Sequence, residues 1–208
     1  NTTSNDSGGY GFEAAASDGF LNDTSLFKVT ILDVQNDLDL DGIDDTIDNL
    51  VLNKNSVNTS TLNLLVTVNE SKDLAKIFSG NLLVKFIDHN QTVIEFSFNF
   101  SKYKLNLTDL RINKQSNLSR GLLYVTGLIL PQKNKKTMYL DRLNRRLSSV
   151  CIKDDFISSA SDISKNCKAK NEVKIGCNGI LNRKHGYRCT YNSTTKKYKV
   201  QGLNHSAI

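Results

Sequence analysis

Apolar and polar residues alternate along much of this chain, with the period of two that a half-buried strand imposes. Between Leu26 and Val34, Phe27, Val29 and Ile31 alternate with Lys28 and Thr30, which predicts a first strand. Residues 61–68, TLNLLVTV, put Leu62, Leu64, Val66 and Val68 on one face. Residues 82–87, LLVKFI, are almost wholly apolar, DHNQ follows as a turn, and VIEFSFNF (93–100) sets Ile94, Phe96, Phe98 and Phe100 against Glu95, Ser97 and Asn99. The span 82–100 therefore reads as a hairpin. YKLNLTDLRI continues it, with Leu105 and Leu107 inward and Asn106 and Thr108 outward. GLLYVTGLIL (121–130) is a further strand, stopped by Pro131, with TMYL (137–140) as its expected partner. No long amphipathic helix is visible, so the predicted fold class is all-β, a β-sandwich of immunoglobulin-like or related type.

The pattern divides the 208 residues into three. Residues 1–25 show no period and read as an N-terminal arm, anchored by Tyr10, Phe12 and Phe20, that could act as a donor strand to a neighbouring subunit. Residues 26–147 form the sandwich. Residues 148–208 hold all four cysteines and read as a second, small disulfide-bonded β domain, with a short helix or loop over 154–164 and turns at Asn178-Gly179 and Thr194–Lys196. No run of about 18 apolar residues occurs, so no membrane span is expected. The chain opens at Asn1 with neither Met nor a signal-type segment, which reads as a removed leader or a fragment.

Composition adds a compartment. There are 24 Asn, and 11 of them head an Asn-x-Ser/Thr sequon: Asn1, Asn5, Asn22, Asn58, Asn69, Asn90, Asn99, Asn106, Asn117, Asn192 and Asn204. Ser and Thr make up 35 of the residues, so chance predicts roughly four such triplets. Asn99 and Asn106 also fall on the polar phases of their strands and Asn90 in the hairpin turn, as acceptors of N-linked glycans should. The cysteines Cys151, Cys167, Cys177 and Cys189 lack the close Cys-x2-4-Cys pair of a zinc site and read as two disulfides of an extracellular protein. Four cysteines allow three connectivities; the expectation taken here is Cys151 with Cys189 and Cys167 with Cys177.

Charge is split along the chain. Residues 1–100 carry 5 basic and 15 acidic side chains, and residues 101–208 carry 22 basic and 6 acidic. Such a dipole suits head-to-tail contact between copies. The basic clusters QKNKK (132–136) and DRLNRR (141–146) lack interleaved aromatics, so no nucleic-acid partner is expected.

The most specific chemistry lies in DLDLDGIDDTID, Asp37 to Asp48. Calcium takes six to eight hard oxygens, and Asp at positions 1, 3 and 5 can converge on one ion when the chain turns at a Gly in position 6. Asp37, Asp39, Asp41, the carbonyl of Ile43, Asp45 and Asp48 are the candidate ligands; Asp44 is left without a role. The loop lacks the flanking helices of a calcium sensor, so a structural ion is expected. These 12 residues resemble the thrombospondin type-3 calcium repeat, in which Asp is normal at the last position. The tail VCIKDDFISSASDISKNCKAKNEVKIGC…YRCTY…YKVQGLNHSAI resembles the cysteine-containing tail of surface proteins from small-genome archaea. The resemblances imply an archaeal secreted or cell-surface protein and carry over Asp37, Asp39, Asp41, Asp45 and Asp48 as ligands.

No Gly-x-Ser-x-Gly, phosphate-binding Gly loop or metal-type His pairing occurs, and His89, His185 and His205 are scattered, so no catalytic residue is expected. The functional expectation is a non-enzymatic, glycosylated subunit of a cell-surface filament or surface layer, stabilised by calcium and disulfides. The competing reading is an adhesin for a host surface or carbohydrate, with a concave pocket or an exposed patch of Tyr10, Tyr187, Tyr191 and Tyr198.

Overall fold

The computed structural model describes residues 8–31, 36–37, 39–52, 58–59, 64–117, 120–131, 134–205 and 208. The chain is nearly all β, as the alternation predicts. The first two strands, β1 (Gly8–Ser17) and β2 (Asn22–Ile31), pair antiparallel through ten residues each. Asp18 makes the turn: its Oδ1 accepts the N–H groups of Phe20 and Leu21 at 2.9 and 2.8 Å. Residues 8–25 are thus the first strand, the turn and the start of the second strand of a hairpin, not an extended arm, and β1 is paired within its own chain. The donor-strand expectation is corrected accordingly. The missed signal is Asp-Gly at 18–19, a turn dipeptide between two segments of low periodicity. Asn1 and Asn5 lie outside the described residues.

Nine further strands bring most of the apolar runs into three sheets. β3 (Leu50–Val51) pairs in parallel with β8 (Leu105–Asn106). β5 (Leu65–Val68), β6 (Asn81–Asp88) and β7 (Gln91–Asn99) form an antiparallel meander, and His89 and Asn90 turn the expected β6–β7 hairpin with φ of 48° and 61°. β9 (Arg111–Asn117) lies between β10 (Arg120–Thr126), antiparallel to it, and β4 (Asn58–Thr59), parallel to it. β11 (Lys136–Asp141) leaves β10 and pairs instead with β7.

The remaining strands belong to the tail, and three of them continue the main sheet. β12 (Ser149–Lys153) pairs with β13 (Glu172–Gly176), while β14 (Asn182–Lys184), β15 (Tyr187–Asn192) and β16 (Lys197–Leu203) attach through β16 to β11. The result is a seven-stranded antiparallel sheet in the order β14-β15-β16-β11-β7-β6-β5. Residues 148–208 are therefore not a separate domain: Ile152, Ile175, Tyr198 and Val200 share one apolar cluster with Phe86, Phe96, Ile112 and Leu123. A period of two assigns a strand its inward face but not its partner, and for that reason the pairing of TMYL with β16 and β7 was not readable. Turns form at Thr194–Lys196, as expected, and at His185-Gly186 between β14 and β15; at Asn178-Gly179 the chain bends, but β13 and β14 on either side of it do not pair. The short helix or loop expected over 154–164 holds a single 3-10 turn, Ala160–Asp162, with Ser159 at its N-cap.

Both disulfides form, with a different connectivity from that expected: Cys151–Cys167 and Cys177–Cys189, with Cα separations of 5.6 and 5.3 Å. The pairing of β12 with β13 is the cause. It places Cys151 opposite Lys174, so the loop before β13 returns Cys167 to it. It carries Cys177 past the strand end, where its N–H meets the Ser148 carbonyl at 2.7 Å and its side chain is buried with Cys189.

Candidate metal centre

The Asp-rich segment leaves the hairpin and enters the core at β3. Its backbone turns through left-handed residues at Asn36 (φ 57°), Leu40 (φ 58°) and Gly42 (φ 92°). Gly42 stands where a side chain would strain the turn. Carboxylates hold this path. Asp37 accepts the N–H groups of Asp41 and Gly42 at 3.2 and 2.8 Å, and Asp41 accepts that of Ile43 at 2.9 Å. Asp44, the residue left without a role, closes the last turn: its Oδ1 accepts the Thr46 N–H at 2.8 Å and its carbonyl accepts those of Ile47 and Asp48 at 3.0 and 2.9 Å.

The fold brings five of the expected carboxylates together in two triads. Asp37, Asp39 and Asp41 form one, and Asp39, Asp45 and Asp48 the other, each with one oxygen per residue within 4.8 Å of the rest. Asp39 belongs to both. Ile43 is half-buried between them in sequence, and both triads are built of carboxylates alone.

Two oxygens of the cluster stand out. Asp48 is buried, 2 % exposed; its Oδ1 accepts the Leu50 N–H at 2.9 Å, and its Oδ2 is buried with no hydrogen-bond partner. Asp39 repeats the arrangement: Oδ2 accepts the Leu52 N–H at 2.6 Å, and Oδ1 is buried with no hydrogen-bond partner. A buried carboxylate oxygen without a donor is costly. Burial first, and then the charges of Asp41, Asp48 and Asp37, push the Asp39 carboxyl up to about 6 against the opposing Leu52 N–H. Burial also raises Asp41 and Asp48, reinforced by neighbouring carboxylates. A hard cation removes all these penalties together, and calcium tolerates the irregular angles of such a loop. The residues present fit that ion.

The site is tied to the core by groups that the motif does not contain. Asn49 donates its side-chain N–H to the Phe78 and Phe100 carbonyls at 2.5 and 3.3 Å, and accepts the Phe78 N–H at 3.1 Å. Lys104 reaches the Asp45 carbonyl from the segment before β8. Asn49 directly follows the last Asp, which marks it as adjacent, but its partners lie 29 and 51 residues away and leave no local trace.

No protein-family model matches the chain, and neither does any curated protein or solved structure. The reading of the site therefore rests on its own chemistry.

The other expected residues sort as follows. Among sequons with described side chains, Asn69, Asn90, Asn106, Asn192 and Asn204 are exposed and Asn99 is half-buried. Three of them fold into turns in which the Asn Oδ1 accepts the N–H two residues on: Asn99 from Ser101 at 3.1 Å, Asn106 from Thr108 at 2.9 Å and Asn192 from Thr194 at 2.9 Å. Asn22, Asn58 and Asn117 lie in strands, and their side chains are outside the described set. The tyrosine patch does not form. Tyr198 points into the core, 2 % exposed, against Tyr191 at a ring separation of 5.6 Å, and the Tyr187 hydroxyl donates to Asp154 at 3.3 Å. No described helix is long and apolar enough to cross a membrane.

Proposed function

We propose that this chain is a non-enzymatic structural subunit of a glycosylated extracellular filament or surface layer, with calcium held by Asp37, Asp39, Asp41, Asp45, Asp48 and the Ile43 carbonyl. The observation that carries the reading is the pair of orphaned buried oxygens, Asp39 Oδ1 and Asp48 Oδ2, inside a cluster of like charges at the root of the core. Calcium there supplies positive charge alone, while the chain's own residues orient the carboxylates and transmit the order into β3.

Further support comes from the periphery. Two disulfides suit an oxidising exterior, and five of the six described sequon side chains are exposed, with Asn99 half-buried. The acidic first half and basic second half suit contacts that repeat from one copy to the next. The β1–β2 hairpin leaves Phe12 and Phe27 stacked at 5.5 Å yet about half exposed, with Phe20 and Leu21 bare at its tip. Exposed apolar groups of this kind mark contact surfaces. Electron microscopy of natively produced material in calcium tests assembly: regular polymers or lattices support the reading, and dispersed monomers at every concentration refute it.

A further inference from the structure

The polar face of the large sheet carries a cavity that no residue of the Asp-rich loop lines. It measures about 340 Å³ and opens where β15, β16, β11 and the start of β7 meet. Cross-strand register builds it: Thr190 lies opposite Lys199, Lys199 opposite Tyr139, and Asn192 opposite Lys197. Thr92 enters from β7.

Lys197 is the telling residue. Its side chain is 4 % exposed and its ammonium is buried, with the Asp141 carboxylate beside it but no well-aligned hydrogen bond to it. The Asp141 carboxylate, 3.1 Å away, balances its charge, but an ammonium has three N–H donors. Leaving them unfilled in a buried position is unfavourable. Lys199 is placed beside it and held from behind, since Glu95 sits 3.4 Å from its Nζ and also accepts the Tyr139 hydroxyl at 2.7 Å. Burial and the Glu95 bond both push the Tyr139 phenol up, so it remains a neutral donor with its ring fixed.

We infer that this cavity is a saccharide site whose ligand is a carboxylated sugar unit. The volume is in the lower range of ligand pockets and suits one or two sugar rings. Hydroxyl and amide groups from Thr92, Thr190 and Asn192 match a polyol, and the two ammonium groups match one carboxylate. A wholly apolar ligand would leave Lys197 as unsatisfied as before. The site does not depend on the calcium loop, which joins the fold at β3. Such a sugar can come from a polysaccharide outside the chain or from a glycan on Asn90 or Asn192, both of which line the cavity.

The test is an amide NMR titration of the unglycosylated, disulfide-bonded chain with sodium D-glucuronate, beside D-glucose. Glucuronate is expected to move the amides of Thr190, Asn192, Lys197 and Lys199 with a millimolar Kd, glucose to bind more weakly, and Lys199→Met to weaken glucuronate about tenfold. Thr190→Val, which leaves both ion pairs intact, is expected to weaken both sugars. The inference is overturned if these amides do not move, if glucose binds as well as glucuronate, or if the folded Lys199→Met and Thr190→Val chains bind like the parent. Repeating the titration on natively glycosylated chain separates the sources: weaker binding assigns the cavity to the chain's own glycan, and equal binding assigns it to an external saccharide.

Discussion

Leu52 donates its backbone N–H to Asp39 Oδ2 at 2.6 Å, across 13 residues. Leu52 belongs to the apolar core and Asp39 to both carboxylate triads, so one hydrogen bond joins the charged loop to the packed interior. Whatever steadies Asp39 therefore steadies the end of β3. The same logic governs Asp48, bonded to the Leu50 N–H at 2.9 Å.

The first prediction concerns Asp48→Asn, which keeps the shape and removes the charge. Without calcium the variant should be more stable than the parent by about 1–3 kcal/mol, because a buried unsatisfied carboxylate oxygen is gone. With calcium it should be the less stable of the two, having lost a ligand. Thermal melts of both proteins, with calcium and with chelator, reveal the crossover.

Asn49 is the clamp between the loop and the strands beneath it. Asn49→Ala leaves the Phe78 N–H and the Phe78 and Phe100 carbonyls without this partner. A loss of about 2–3 kcal/mol is expected in urea unfolding, together with a weaker response to calcium. An unchanged midpoint would mean that the clamp is ornamental.

Stability should rise with pH between 8 and 10, and Lys136 is the reason. It is 1 % exposed, donates to the Asn204 carbonyl at 2.9 Å, and burial pushes its ammonium from 10.5 down to about 8, with Asp154 opposing. The unfolded chain thus holds this proton more tightly, and the folded state is penalised below pH 8 by about 3 kcal/mol. The penalty fades as pH climbs from 8 towards 10.5. Burial raises Tyr139 and Tyr198, and burial with Asp154 pushes Tyr187 up to about 12, so the opposing loss sets in only near pH 10, where these tyrosines ionise in the unfolded chain. Melting temperatures measured across the window should climb, and Lys136→Met should flatten the climb while raising stability at pH 7.

Each disulfide closes a short loop, 16 residues for Cys151–Cys167 and 12 for Cys177–Cys189. Loops of this size predict about 3 kcal/mol apiece from chain entropy. Replacing Cys151 and Cys167 together with Ser should cost that amount, with the sheet retained. Peptide mapping under non-reducing conditions should recover these two pairs, in place of Cys151–Cys189 and Cys167–Cys177.

Strand identity was largely legible because inward side chains repeat every second residue: Ile94, Phe96, Phe98 and Phe100 are all buried, as their spacing requires. Strand partnership was not, because nothing in KTMYLD states that KYKVQGL lies beside it. The disulfide pairing failed for the same reason, since it follows from the contact of β12 with β13. The convergence of the aspartates was legible because they are local and ordered by the turn. Asp44, Asn49 and Lys197 were opaque: their roles depend on bonds to partners or cavities that only the folded chain assembles. Gly127 belongs with them. Its φ of 76° and an Asp109 carbonyl oxygen only 1.9 Å from where a Cβ would sit make it obligatory, yet the apolar pattern carries the strand through it to Leu130, whereas β10 ends at Thr126.

The account turns on the metal, and differential scanning calorimetry in chelator and in millimolar calcium reads it most directly. Calcium should raise the melting temperature of the parent chain, raise it further with concentration, and leave Asp39→Asn and Asp48→Asn little changed. A parent chain that melts at the same temperature in EDTA and in calcium would contradict the claim that these aspartates hold a structural ion.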